Sequence, residues 1–331
     1  MARVRIAVVG LGLIGGSALR ALAGAGHTVF GYDSDPSTRA MARTAAARAP
    51  AGGRWQVAGA LADAVSGADL VLLAVPLNAV SGVLDDLAGR GYAGLVTDVT
   101  SVKEPVRDLV AVRAHRFGRL AGFVGGHPMA GRESAGFAAA QATLFTGCAW
   151  VLCLEPGETD LGDWLTLAAL VTTLGARVVP ATAAEHDRAV AAVSHVPHLL
   201  ASALAALAGG DPLALTLGAG SFRDGTRVAA TAPAMTSLMC GGNAAAVRTA
   251  LDTLLDNLGE ARSALDQEDP VAALRAWFGT GSAVRAAWPP APSDAVTLPA
   301  KAEVLLRLGR AGGWVTTVAA DLRTVTAARP L

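Results

Sequence analysis

Short apolar runs punctuate the first half of the chain, each broken by glycine, proline or a polar cluster. Residues 4–9 are apolar apart from Arg5 and rich in β-branched side chains, as in a strand buried on both faces. Residues 28–32, 70–74, 95–98 and 149–154 repeat that pattern, and the last is expected to complete the same sheet. Between them, residues 17–25 and the stretch from Asn78 have helical spacing. Strands alternating with helices predict a parallel sheet with right-handed crossovers and ligands at the carboxyl ends of the strands. Asn78, Ser101 and His127 each follow a strand-like run, so the pattern sets all three at that edge.

After Pro156-Gly157 the pattern changes. Residues 161–174 are apolar at helical spacing and 176–180 form a short strand-like piece. Long Ala/Leu-rich stretches follow at 182–208, 212–220, 243–267 and 269–278. Helices apolar on more than one face are covered either inside a large core or by another subunit. The expected fold is therefore α/β: an N-terminal Rossmann-type doubly wound parallel sheet with an all-α C-terminal dimerisation domain. The expected boundaries are 1–155 for the first domain and 156–288 for the second. Residues 289–331 read as a linker (PPAPSDAVTLP) and a tail with one helix and a strand or two.

The first strand runs into Gly10-Leu11-Gly12-Leu13-Ile14-Gly15, then a helix, a second strand and Asp33. Gly10 permits a tight turn, Gly12 lets a pyrophosphate approach the helix N-terminus, and Gly15 allows close helix packing. Asp33 stands 18 residues after Gly15, where a carboxylate accepts both hydroxyls of an adenosine ribose and repels a 2′-phosphate. The expected cofactor is NAD, held by Gly10, Gly12, Leu13, Ile14, Gly15 and Asp33, with Val75 and Pro76 at the end of the 70–74 strand and Ser101 after the next. Arg39 weakens the preference over NADP slightly.

Composition narrows the function classes. The 331 residues carry 27 Lys+Arg against 27 Asp+Glu, which argues against a nucleic-acid partner held on a basic face. Cys148, Cys153 and Cys240 form no CxxC and have no His at zinc-ligand spacing, so no metal is expected. Residues 135–154 and 189–210 are uncharged, but glycines, threonines, Ser194, His195, Pro197 and His198 interrupt them, and both read as buried segments of a soluble protein. Arg3, Arg5 and the apolar run to Ala-Leu-Ala at 21–23 imitate a signal peptide; the glycine motif explains the same residues better, and a cytoplasmic protein is expected.

Unusual polar residues in apolar surroundings mark four segments: TDVTSVK at 97–103, GGHPMAGRE at 125–133, SHVPH at 194–198 and FRDGTR at 222–227. With GLGLIGGS and EHD at 185–187, and in this order, they resemble the prephenate/arogenate dehydrogenases of tyrosine biosynthesis, over residues 4–285 or so. The resemblance implies oxidation of a cyclohexadiene at its C4 hydroxyl, hydride transfer to NAD, loss of CO2 from C1 and aromatisation. Prephenate would give 4-hydroxyphenylpyruvate.

The resemblance also implies roles. His127 corresponds to the family's general base, work that suits a neutral imidazole. Ser101 corresponds to the serine that hydrogen-bonds both that histidine and the reacting hydroxyl; its plainer reading is a capping box with Glu104. Arg227 corresponds to the substrate-carboxylate clamp, against a plain ion pair with Asp224. His198 corresponds to a substrate-orienting residue. His195, Glu133 and Asp224 are weaker candidates, and Lys103 reads as support for the cofactor loop. His27, His115 and His186 read as ordinary structural histidines.

Two departures stand out. Thr236 takes the place of a tryptophan many members carry, which leaves side-chain specificity open. The 32 residues after Pro299 are too few for the ACT-type regulatory domain of some relatives. The alternatives are an arogenate dehydrogenase, a 4-amino-4-deoxyprephenate dehydrogenase and an NAD/NADH-sensing regulatory dimer. A generic 3-hydroxyacid dehydrogenase would place a catalytic lysine in the second domain, and no lysine lies between Trp150 and Pro299.

Overall fold

The computed structural model describes residues 3–117, 122–132 and 134–331, without the side chains of 114–117, so Glu133 and the His115 side chain lie outside the described residues. The chain divides into two compact units, Met1–His186 with Asp294–Arg329, and Asp187–Ser293 with Pro330–Leu331.

The first unit opens with β1 (Arg5–Val9), α1 (Leu13–Gly24), β2 (Thr28–Tyr32), α2 (Pro36–Arg48), β3 (Gln56–Val57), α3 (Leu61–Val65), β4 (Leu70–Leu73), α4 (Leu77–Gly89), β5 (Leu95–Asp98), α5 (Glu104–Phe117) and β6 (Phe123–Val124). These strands form one parallel sheet in the order β3-β2-β1-β4-β5-β6, the doubly wound arrangement expected. Alternation along the strands explains both layers. Ile6, Val8, Leu70 and Leu72 face a core shared with Ala18, Leu19 and Leu22 of α1. Ala7, Val9, Val71 and Leu73 face the opposite core, filled by Leu61, Val80, Leu84 and Val106. The signal-like N-terminus is thus a buried strand and its helix.

A second sheet follows: β7 (Gly126–Pro128), β8 (Ala149–Cys153), α6 (Leu161–Thr173) and β9 (Arg177–Ala181). The chain then passes through α7 (Ala183–Val190), α8 (Val196–Ala208), α9 (Pro212–Thr216), α10 (Gly220–Thr226), α11 (Pro233–Gly242), α12 (Ala244–Leu265) and α13 (Pro270–Ala286). It returns as β10 (Val296–Pro299), α14 (Ala302–Arg310), β11 (Trp314–Val318) and β12 (Thr324–Ala328). The second sheet runs β10-β12-β11-β9-β8-β7. Its core joins Trp150, Leu152, Trp164, Val178, Leu305, Val315 and Val325 to the α1 side of the first sheet.

Three expectations are corrected here. The 149–154 run does not complete the first sheet: β8 pairs with β7 and β9, because a strand apolar on both faces looks the same in either sheet. The first unit does not end at 155; it takes in α6 and β9, and the boundary falls within α7. The helix and two strands expected after Pro299 are present, but the linker reading is corrected: 296–299 is strand β10, and residues 294–329 belong to the first unit, with Leu305, Leu306 and Leu308 of α14 buried.

The second unit is helical. A short π-helical stretch, Ala191–His195, precedes α8. The run Ala183–Ala208 is long and apolar enough to cross a membrane by length and composition alone. The expectation that residues 189–210 are buried is corrected: Leu199, Leu200 and Leu204 of α8 are more than a third exposed, and Leu207 is 82% exposed. A helix apolar on several faces outgrows the core that one chain's own helices can offer.

Candidate active site

The glycine-rich turn joins β1 to α1. Gly10 has φ +93°, and a Cβ there would stand 2.3 Å from the Ala74 carbonyl oxygen, so only glycine lets this turn lie against the end of β4. A Cβ on Gly15 would fall 1.9 Å from the Gly10 oxygen. Gly12, in contrast, faces open space. No side chain caps α1, and no acidic residue sits in its first turn, so the helix presents unsatisfied N–H groups and its positive end. Asp33, just after β2, accepts from the Leu11 N–H at 2.7 Å through one carboxylate oxygen and from the Asp35 N–H at 2.8 Å through the other. Arg39 Nη1 is committed to the carbonyls of Asp33 and Ser34, at 2.6 and 3.1 Å. The open Gly12, the uncapped helix and the carboxylate at β2 fit a dinucleotide whose ribose is unphosphorylated. Val75 is half-buried and Pro76 exposed at the end of β4, while Asn78 is exposed on the first turn of α4.

Two strands further along the order, β5 ends at Asp98. This carboxylate and the Lys103 ammonium are both buried and form an ion pair. Asp98 also accepts from the Thr100 N–H at 3.0 Å, from the Thr100 hydroxyl at 2.5 Å and from the Gly126 N–H at 3.1 Å. Lys103 Nζ donates to Thr100 Oγ1 at 3.0 Å and to the Gly126 carbonyl at 2.6 Å. The pair therefore grips Gly126 by both its N–H and its C=O. A Cβ on Gly126 would lie 2.7 Å from the Asp98 carbonyl oxygen, so this grip requires glycine. The next residue is His127.

His127 is buried in β7, opposite Val151 of β8. Its Nδ1 lies 2.8 Å from His186 Nε2, with the rings edge-on, 5.0 Å between centroids. Such a contact needs an N–H on one ring and a lone pair on the other, so each imidazole fixes its partner's tautomer. His186, read from the sequence as an ordinary structural histidine, is thus a direct partner of His127. The signal for it was the EHD segment, not any spacing to His127. Ser101 is half-buried between Thr100 and Val102. The capping-box reading of Ser101 is corrected: α5 begins at Glu104, so Lys103, not Ser101, directly precedes the helix.

The second unit carries the other candidates. His198 Nδ1 lies 3.2 Å from the Val228 carbonyl, which brings it beside the short helical turn Arg227–Ala230. Arg227 is exposed. Asp224 pairs with Arg223 at 3.4 Å. His195 is fully buried and is a core residue: Asn243 Nδ2 donates to its Nδ1 at 3.2 Å and to the Asp187 carbonyl at 2.7 Å, which puts the His195 ring proton on Nε2. Thr236 turns its hydroxyl back to the Pro233 carbonyl of its own helix, at 3.1 Å. Among the described residues no group of His, Cys, Asp and Glu could hold a metal ion.

Comparison with known proteins gives a consistent answer. A family model described as the nucleotide-binding domain of prephenate dehydrogenase matches residues 16–180, and one described as its dimerization domain matches 182–280. The chain is 32% identical over 275 residues to the prephenate dehydrogenase of Bacillus subtilis strain 168, covering 80% of this chain and 71% of that one. A Corynebacterium glutamicum crystal structure superposes with TM-score 0.77 at 37% identity, over 86% of this chain and 90% of that one. The Synechocystis arogenate dehydrogenase superposes with TM-score 0.70 at 28% identity, over 85% and 99%.

Lys103→Met leaves the Asp98 carboxylate buried without its cation. Urea denaturation followed by tryptophan fluorescence is expected to show a loss of about 3–5 kcal/mol. A loss below about 1 kcal/mol would mean that the pair is not what holds this region.

Proposed function

The chain belongs to the prephenate dehydrogenase family, and from that premise we propose that it converts prephenate to 4-hydroxyphenylpyruvate and CO2 with NAD as oxidant. The observation that carries this reading is the His127–His186 pair, anchored through Gly126 to the carboxyl end of the sheet whose glycine turn and Asp33 fit NAD.

NAD, when bound, supplies the acceptor for the hydride that leaves C4. His127 takes the C4 hydroxyl proton; with Nδ1 engaged by His186, proton transfer falls to Nε2. His186 keeps the imidazole in the tautomer this requires. Ser101 donates to or accepts from the reacting hydroxyl and helps align it. Loss of the proton and hydride leaves a C4 ketone conjugated with the ring, an electron sink for the pair released as the C1–CO2 bond breaks. The ring becomes aromatic as the C4 oxygen, left as a phenolate, takes its proton back from the His127 imidazolium, which makes the step effectively irreversible. Arg227 offers a planar fork to a substrate carboxylate, and His198 helps orient the substrate.

A second reading shares all of this chemistry: oxidation of arogenate to tyrosine. The likeness to an arogenate dehydrogenase favours it, and the two substrates differ only in a side-chain amino or oxo group. The assembly we propose is a homodimer formed by the helical unit. Its exposed Leu199, Leu204, Leu207, Leu255 and Phe278 support this, as does the description of the matching family domain.

NADH formation is to be followed with prephenate and with arogenate, each with NAD and NADP, for the native chain and for His127→Asn. Turnover with prephenate and NAD is expected, and His127→Asn is expected to reduce it about 100-fold or more with NAD binding retained. Full turnover in that variant would remove His127 from the chemistry, and preference for arogenate would select the second reading. Arg227→Ala is expected to raise the substrate KM by one to two orders of magnitude, roughly, with a smaller change in kcat; an unchanged KM would place the carboxylate clamp elsewhere. Sedimentation is expected to give twice the 33.2 kDa chain mass, and a monomer at micromolar concentration would exclude the dimer.

A further inference from the structure

Both family models leave the last strands and helix of the chain unmatched, as the second of them ends at residue 280. That segment, β10-α14-β11-β12, is a split β-α-β unit: β12 lies antiparallel between β10 and β11, and β11 joins β9 through Val315 and Val178. Helix α14 packs on β9 with almost no clearance. A Cβ on Gly309 would fall 1.7 Å from the Pro180 carbonyl oxygen. From Pro180 the chain runs through Ala181 and Thr182 into the first turn of α7, which carries His186.

That turn is tightly specified. Glu185 Oε2 accepts from the Thr182 N–H at 2.9 Å and from its hydroxyl at 3.0 Å, while Thr182 Oγ1 accepts from the Glu185 N–H at 3.2 Å. This is a reciprocal capping box. The His186 N–H donates to the Thr182 carbonyl at 2.9 Å. The remaining oxygen of Glu185, Oε1, accepts from Arg310 Nε at 2.6 Å, one residue beyond Gly309. Two successive residues of α14 thus hold the two ends of the segment 180–185.

We propose that the C-terminal β-α-β-β unit is the outer support of the His127–His186 pair, with Gly309 and Arg310 as positioning residues that act on the 180–185 segment. The proposal rests on the reading of His127 as the general base only for its effect on rate. Its structural content concerns where the His186 ring sits. Gly309 carries the larger share, because the Arg310 side chain is 58% exposed and exposed ion pairs contribute little. A ring displaced by a fraction of an ångström changes the hydrogen bond at His127 Nδ1 and with it the alignment of Nε2.

The test uses the full chain with Gly309→Ala, Arg310→Gln and Arg310→Lys. The 15N imidazole resonances of His127 and His186, assigned with His127→Asn and His186→Asn, are read beside kcat and KM. Gly309→Ala is expected to shift both imidazole signals and lower kcat about tenfold, with KM for NAD within about twofold of the native value. Arg310→Gln is expected to do the same on a smaller scale, about threefold in kcat, and Arg310→Lys to restore most of it. Unmoved imidazole signals in both Gly309→Ala and Arg310→Gln would overturn the proposal, whatever happens to the melting temperature. If Gly309→Ala does not fold, the exposed Arg310→Gln decides by the same signals. The spectrum reads the support independently of catalysis, so failure of His127 as the base shows separately, as full turnover in His127→Asn.

Discussion

An ammonium and a carboxylate buried together cost several kcal/mol each in lost hydration, and their attraction offsets that only when further hydrogen bonds satisfy the remaining donors and acceptors. Lys103 and Asp98 meet that condition by reaching Thr100 and Gly126. The electrostatic demand of the pair therefore becomes a mechanical constraint. The end of β5 is locked to the residue before His127, and β5 lies beside β4, whose end touches the Gly10 turn. Cofactor edge and histidine pair are held in one frame within the first unit. A lysine that the sequence suggests as loop support proves to be the support of the candidate base as well.

The first sheet was legible because its strands are continuous apolar runs separated by helices, with a glycine motif that fixes register and direction. The second sheet was not. Strand β7 is only Gly-His-Pro, a sequence that reads as a turn, while β9 was visible at 176–180 only as an isolated strand-like piece with no sheet to join. Strand β8 was visible as a strand but not as a member of a different sheet, since burial on both faces carries no label for the neighbour. The helix and strands after Pro299 were legible, but their place in the first unit was hidden for a related reason. Its proline-rich approach resembles a linker, and the close contact of Gly309 with Pro180 joins positions 129 apart in the chain.

The histidines show where residue-level reading stops. His127 and His186 are 59 positions apart, and no periodicity connects them. His195 and His198 are three apart in one motif, yet one is a buried partner of Asn243 and the other reaches the turn of Arg227. A π-helical stretch ends at His195, directly before the start of α8. For Ser101 the ambiguity was between chemistry and helix capping. The start of α5 at Glu104 removes the capping role and leaves the loop position, which a sequence cannot fix to better than a few residues.

Apolar helices look the same in sequence whether their own chain or a partner covers them, and the two cases differ in what the fold costs. Leu207, Leu217, Leu265 and Phe278 are each at least 60% exposed. Covering a leucine or phenylalanine contributes about 1.5–3 kcal/mol, so these side chains hold a large unrealised stabilisation in the single chain. In the proposed dimer that stabilisation arises on association, and the stability of the helical unit depends on chain concentration. The first unit contains its own core, both sheets and the His127–His186 pair, and needs no partner to hold them. In the proposed dimer, the carboxylate-binding candidates Arg227 and His198 would belong to the unit that gains stability on association, and the His127–His186 pair to the unit that carries its own core.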